Sequence, residues 1–76
     1  VYPAGSRVLE AGCGVGAQTV TLARQSPGAR ITAIDRAAES LAEAARAVTA
    51  AGLTNVTFQR ADLFDLPYEP GAFDAA

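Results

Sequence analysis

A chain of 76 residues is about half a typical domain, and alone it would bury only roughly 60% of its unfolded surface. Half of its residues are hydrophobic and 18% are charged, the balance of a globular chain rather than a disordered or membrane-spanning one. Six arginines against eight acids leave a net charge of −2 with no basic run, which excludes an electrostatic footprint for nucleic acid within these residues.

The chain opens with an entry loop, Val1 to Ser6, that holds Pro3 and Gly5. A first strand is predicted over about Arg7 to Ala11, where Val8 and Leu9 supply a short apolar run. Glycines then fall at every second position, Gly12, Gly14 and Gly16, which reads as a turn whose backbone takes positive φ or is approached closely by a ligand. A first helix follows from about Ala17 to Gln25, with Val20 and Ala23 on its expected inner face, and Ser26 before Pro27 is biased out of the helix. The second strand is Arg30 to Asp35. A second helix runs from about Ala38 to Ala51, where Leu41, Ala44, Ala45 and Val48 form one apolar stripe. Ser40 and Glu43 suit a capping box if this helix starts late, and Gly52 with Leu53 suits a Schellman ending. The third strand, Val56 to Arg60, alternates Val56 and Phe58 with Thr57 and Gln59, as an edge strand does. A polar loop with proline covers Ala61 to Ala72, and a fourth strand begins at Phe73. The chain contains no methionine and stops in what reads as mid-strand, so we expect a piece of a longer protein that relies on the rest for stability.

Helices between strands imply parallel pairing. The fold class is therefore α/β, a Rossmann-like parallel sheet with flanking helices and strand order 3-2-1-4. The ligand should lie at the strand C-termini where the order reverses. A strand, a glycine turn and a helix in that order gather backbone N–H groups at the helix N-terminus, a nucleotide-binding corner.

Two ligands satisfy that corner. Gly12, Gly14 and Ala17 meet the dinucleotide fingerprint, with Asp35 close to the expected distance downstream. Glu10 argues the other way. A carboxylate two positions before the first glycine points at the mouth of the turn and would repel a pyrophosphate. S-adenosylmethionine carries a sulfonium and an ammonium instead, and a nearby carboxylate suits both.

Glu10-Ala11-Gly12-Cys13-Gly14-Val15-Gly16 resembles motif I, E/D-x-G-x-G-x-G, of class I S-adenosylmethionine-dependent methyltransferases. Ile34-Asp35 resembles that family's acid ending the second strand, and Ala61-Asp62-Leu63 its adenine-contacting acid after the third. Leu66-Pro67 with Phe73-Asp74 is similar to the small-molecule branch related to ubiquinone-biosynthesis methyltransferases. The resemblance covers essentially the whole chain. It implies that residues 1–76 are the N-terminal part of a single methyltransferase domain, truncated in the fourth strand, that binds S-adenosylmethionine for transfer to a small-molecule acceptor.

The resemblance also implies roles. Glu10 faces the methionine amine. Gly12, Cys13, Gly14 and Gly16 form the segment against the methionine part and ribose. Asp35 accepts hydrogen bonds from the ribose hydroxyls, Asp62 accepts from the adenine amino group, and the Leu63 N–H donates to a ring nitrogen. Arg36 departs from the apolar residue usual there. It either stacks on adenine through its guanidinium plane or marks a 2′-phosphate site, the one feature that favours NADP.

Plainer readings stand beside these. Cys13 is a small buried filler, since the chain has no histidine or second cysteine to make it a nucleophile or metal ligand. Glu10 alone is a cap of its own loop, Asp62 alone is a turn residue, and Tyr68 and Phe73 are packing residues. Methyl transfer from a sulfonium needs donor and acceptor held in line, so no catalytic residue and no metal site is assigned to these residues. The competing functions are an NAD(P)-dependent oxidoreductase segment and a non-catalytic S-adenosylmethionine-binding module. A single thiol and no export signal point to a reducing cytoplasm, and no membrane association is expected.

Overall fold

Five elements alternate along the chain: β1 (Arg7–Ala11), α1 (Ala17–Gln25), β2 (Arg30–Asp35), α2 (Ala38–Ala50) and β3 (Val56–Arg60). They come from a computed structural model that describes residues 2–14, 16–62, 64–69 and 71–75. β1 pairs with β2 and β2 with β3, both in parallel, with Val8 opposite Ile31 and Ile31 opposite Val56.

Register decides which side chains meet the helices. Val8, Ile31 and Val56 are partners across the sheet, and Ala33 and Phe58 lie two positions on, so all five share one face. On that face Val8 and Ile31 cluster with Ala23 of α1, while Ala33 clusters with Cys13 and with Ala44 of α2. Both helices therefore cover the same face, and each presents a small buried residue to it, Ala23 from α1 and Ala44 from α2. Glu10 is the register partner of Ala33, so it too lies on the helix-covered face.

Two side-chain expectations change. In α1 the buried residues are Thr19 and Ala23, while Val20 is only half-buried. Apolar character favours Val20, but positions 19 and 23 are four apart and share the inner stripe. The capping box of Ser40 and Glu43, which needs a late start, does not form, because α2 starts at the expected Ala38: its N-cap is Ala37, which makes no side-chain cap. At its other end α2 stops one residue short of the expected Ala51. The Gly52 N–H reaches the Thr49 carbonyl at 3.0 Å and the Leu53 N–H reaches that of Val48 at 3.2 Å, the two bonds of a Schellman ending.

The corner between α1 and β2 is tied from a distance. The Asn55 amide nitrogen donates to the carbonyls of Ala23, Ser26 and Ala29 at 3.3, 3.0 and 3.1 Å. Beyond β3, the Tyr68 and Phe73 rings pack edge to face with centroids 4.9 Å apart, as packing residues do. The strand expected from Phe73 is reduced, among the described residues, to one parallel bridge between Val8 and Ala75. The Leu9 N–H donates to the Ala75 carbonyl at 2.9 Å, and Leu9 alternates with the residues of β1 that face β2, so Ala75 lies on the other edge of β1. Arg7 fixes this segment by gripping the Asp74 carboxylate through its backbone N–H at 2.7 Å and its guanidinium at 3.2 and 3.3 Å. No helix among the described residues is long and apolar enough to cross a membrane.

Candidate functional site

Parallel strands release their chains at one end of the sheet, and here the released segments converge. The β1 turn is held by β2: the N–H groups of Gly12 and Cys13 both donate to the Ile34 carbonyl, at 2.9 and 3.0 Å. The next turn N–H, from Gly14, donates to Asp35 Oδ2 at 3.0 Å. Asp35 Oδ1 accepts from the Ala37 N–H at 2.9 Å, which turns the chain toward α2. A single half-buried carboxylate thus joins the glycine turn to the end of β2. These two donors, Ala37 first and Gly14 second, hold the Asp35 carboxyl below the ordinary carboxylate range, so it is ionised at neutral pH with lone pairs left for a ligand.

A cleft of about 290 Å³ opens beside this junction. Gly12, Asp35, Arg36 and Asp62 line it, with Ile34 as an apolar floor. Four of the residues singled out in the sequence therefore meet in one place, although they come from the ends of three strands. Asp62 is braced by its own turn, its Oδ1 accepting from the Phe64 N–H at 3.0 Å. Phe64, which the sequence reading passed over, also lines the cleft and is 93% exposed. Its only sequence signal was an aromatic in a polar loop, next to a candidate ligand acid. Arg36 is exposed, and its carbonyl accepts from Arg60 Nε at 2.9 Å.

The remaining candidates lie elsewhere. Glu10 does not line the cleft. Its carboxylate Oε1 accepts a hydrogen bond from the hydroxyl of Thr19, a fully buried α1 residue that the sequence reading left unassigned. Cys13 is buried against Ala33 and Ala44, as a filler would be. Burial first, then the charges of Asp35 and Glu10, push its thiol above the ordinary value and away from reactivity. Gly16 is buried, and a Cβ there would stand 2.8 Å from Ala44, so its glycine serves the contact between α1 and α2. Leu63 lies outside the described residues.

The fit to S-adenosylmethionine rests on these features. Gly12 and Gly14 have φ of +69° and +56°, and a Cβ on either would meet nothing within 4 Å, so the turn leaves open space for a ligand rather than packing against protein. An ionised Asp35 beside that space suits a vicinal diol, and a second acid, Asp62, also lines the cleft.

Comparison with known proteins agrees. Residues 8–76 match the family model described as a methyltransferase domain. The demethylmenaquinone methyltransferase of Thermus thermophilus is 41% identical over 69 residues, which cover 91% of this chain and 31% of that protein. The solved structure of the 4+2 cyclase SpnF aligns with a TM-score of 0.87 at 36% identity, over 96% of this chain and 27% of its own. Coclaurine N-methyltransferase, solved with N-methylheliamine and SAH bound, aligns with a TM-score of 0.74 at 28% identity, over 88% of this chain and 19% of its own. The chain thus spans less than a third of each of these relatives. S-adenosylmethionine is the cofactor of the family, and the match favours it over a dinucleotide. With the parallel sheet, the glycine turn and the acids at the strand ends in place, residues 8–76 belong to the methyltransferase-domain family.

Proposed function

We propose that this chain is the S-adenosylmethionine-binding part of a longer single-domain enzyme that transfers a methyl group to a small-molecule acceptor. The observation that carries the reading is the cleft of about 290 Å³ in which Gly12, Asp35 and Asp62 meet at the C-terminal ends of parallel strands. Gly12 and Gly14 give the ligand room against the backbone. Asp35, ionised and fixed by two backbone N–H groups, accepts from the ribose hydroxyls. Asp62 accepts from the adenine amino group, with the Leu63 N–H beside it, and Arg36 covers the base. Glu10 supplies negative charge for the amino end, next to a turn completed by Cys13 and Gly16. When bound, the cofactor supplies a methyl group already activated on a sulfonium. These residues hold the donor in place and exclude water, and the acceptor's contacts and any general base are assigned to the part of the protein outside this chain.

A small-molecule acceptor is supported by the names of the demethylmenaquinone and coclaurine methyltransferases among the relatives. A reducing cytoplasm suits the single free thiol, Cys13. Calorimetric titration of the full-length protein should show binding of S-adenosylmethionine and none of NADPH, and the reverse would overturn the reading. The similarity to a 4+2 cyclase favours one other reading, the same binding part in an enzyme that closes rings. Cofactor binding without production of S-adenosylhomocysteine across candidate acceptors would select it.

A further inference from the structure

Thr19 and Thr21 lie on the same helix and use their hydroxyls in opposite ways. The exposed Thr21 donates to the Ala17 carbonyl at 3.3 Å, the ordinary choice for a threonine in a helix. Thr19 is fully buried, and its hydroxyl instead leaves the helix to meet the carboxylate of Glu10 at the end of β1. A buried hydroxyl needs a partner, and this one takes a charged acceptor on a different element. Between these two residues runs the glycine turn. Its N–H groups are anchored on the other side to Ile34 and Asp35. The turn is therefore held from both flanks, by β2 through the Ile34 carbonyl and the Asp35 carboxylate and by α1 through a single side chain.

We infer that Thr19 is a positioning residue for the ligand's positively charged amino-acid end. It fixes the Glu10 carboxylate by occupying one of its roughly four acceptor sites and leaving the others for the ligand. This rests on the cofactor reading above, in which Glu10 faces that end. A purely structural threonine would support the whole turn. A positioning one acts only on the part of the ligand that Glu10 meets.

Two ligands separate the roles: S-adenosylhomocysteine, which has the amino-acid end, and 5′-methylthioadenosine, which lacks it. In the full-length protein, Thr19→Val should raise the S-adenosylhomocysteine Kd about tenfold and leave that of methylthioadenosine unchanged. Thr19→Ser, which keeps the hydroxyl, should restore wild-type binding. In a Glu10→Gln background Thr19→Val should add little, because the two act as one unit. Equal weakening of both ligands by Thr19→Val, or failure of Thr19→Ser to restore binding, would assign Thr19 to structure alone. Unchanged S-adenosylhomocysteine binding in Thr19→Val would remove it from the site altogether. Wild-type protein that binds neither ligand would overturn the cofactor reading itself, and this outcome is seen before any variant is made.

Discussion

Asp35 performs two tasks with one carboxylate, and they predict a pH signature. Its folded carboxyl is held down by the Ala37 and Gly14 N–H groups, below an ordinary value of 3.8. A group depressed in the folded state adds stability that is present above the ordinary value and lost as pH falls through the lower, folded one. Asp35→Asn keeps one acceptor oxygen but turns an amide NH₂ on one of the two donors, and should cost about 1–2 kcal/mol at neutral pH. In urea titrations the wild-type advantage over Asp35→Asn should therefore be full at about pH 6 and fade below about pH 4. An advantage independent of pH would show that the carboxylate's charge is not what the two N–H groups recognise. The acid and the glycines were legible in the sequence because their spacing is a local pattern. Thr19 was not, since a threonine in a helix is neutral by propensity and its partner lies on another strand.

Elements were more legible than their contacts. All three strands and the first helix keep their expected bounds, because alternation and the 3.6-residue stripe are properties of the segment itself. The start of α2 at Ala38 was also as expected, where Asp35, outside the helix, turns the chain and lets Ala37 serve as N-cap. The glycine turn looked uniform in sequence, yet its members differ in what surrounds them. At Gly16 a methyl group would stand 2.8 Å from Ala44 on top of the backbone strain of φ +91°. Gly16→Ala should cost about 2–5 kcal/mol by separating α1 from α2. At Gly12 only the strain remains, about 1–2 kcal/mol, while the methyl enters the open space that the proposed function gives to the cofactor. Equilibrium denaturation and S-adenosylhomocysteine titration of the two variants should thus give opposite rankings: Gly16→Ala the less stable, Gly12→Ala the weaker binder. The same order in both assays would contradict the division of labour.

For the molecule as a whole, the parallel order of the first three strands followed from the alternation of strands and helices, and the sheet has it. The expected fourth strand, on the far edge of β1, is represented by the Val8–Ala75 bridge and by the grip of Arg7 on Asp74, contacts that join residues 67 apart and carry no local sequence signal. Asn55 is a subtler case of the same reach. Three carbonyls at the α1–β2 corner wait for one amide that the chain supplies 26 to 32 residues later, just before β3. Asn55→Ala should cost about 2–3 kcal/mol, and most of that cost should appear as faster amide exchange at Ala29 and Ile31 rather than within α2. Unaltered exchange at those two amides would deny Asn55 its part. If the corner does depend on it, the first βαβ unit has no resting state of its own. The order of synthesis is then not the order of completion: the corner between the first helix and the second strand closes last among its neighbours, when the third strand arrives, and the three strands gain or lose their structure as one cooperative unit.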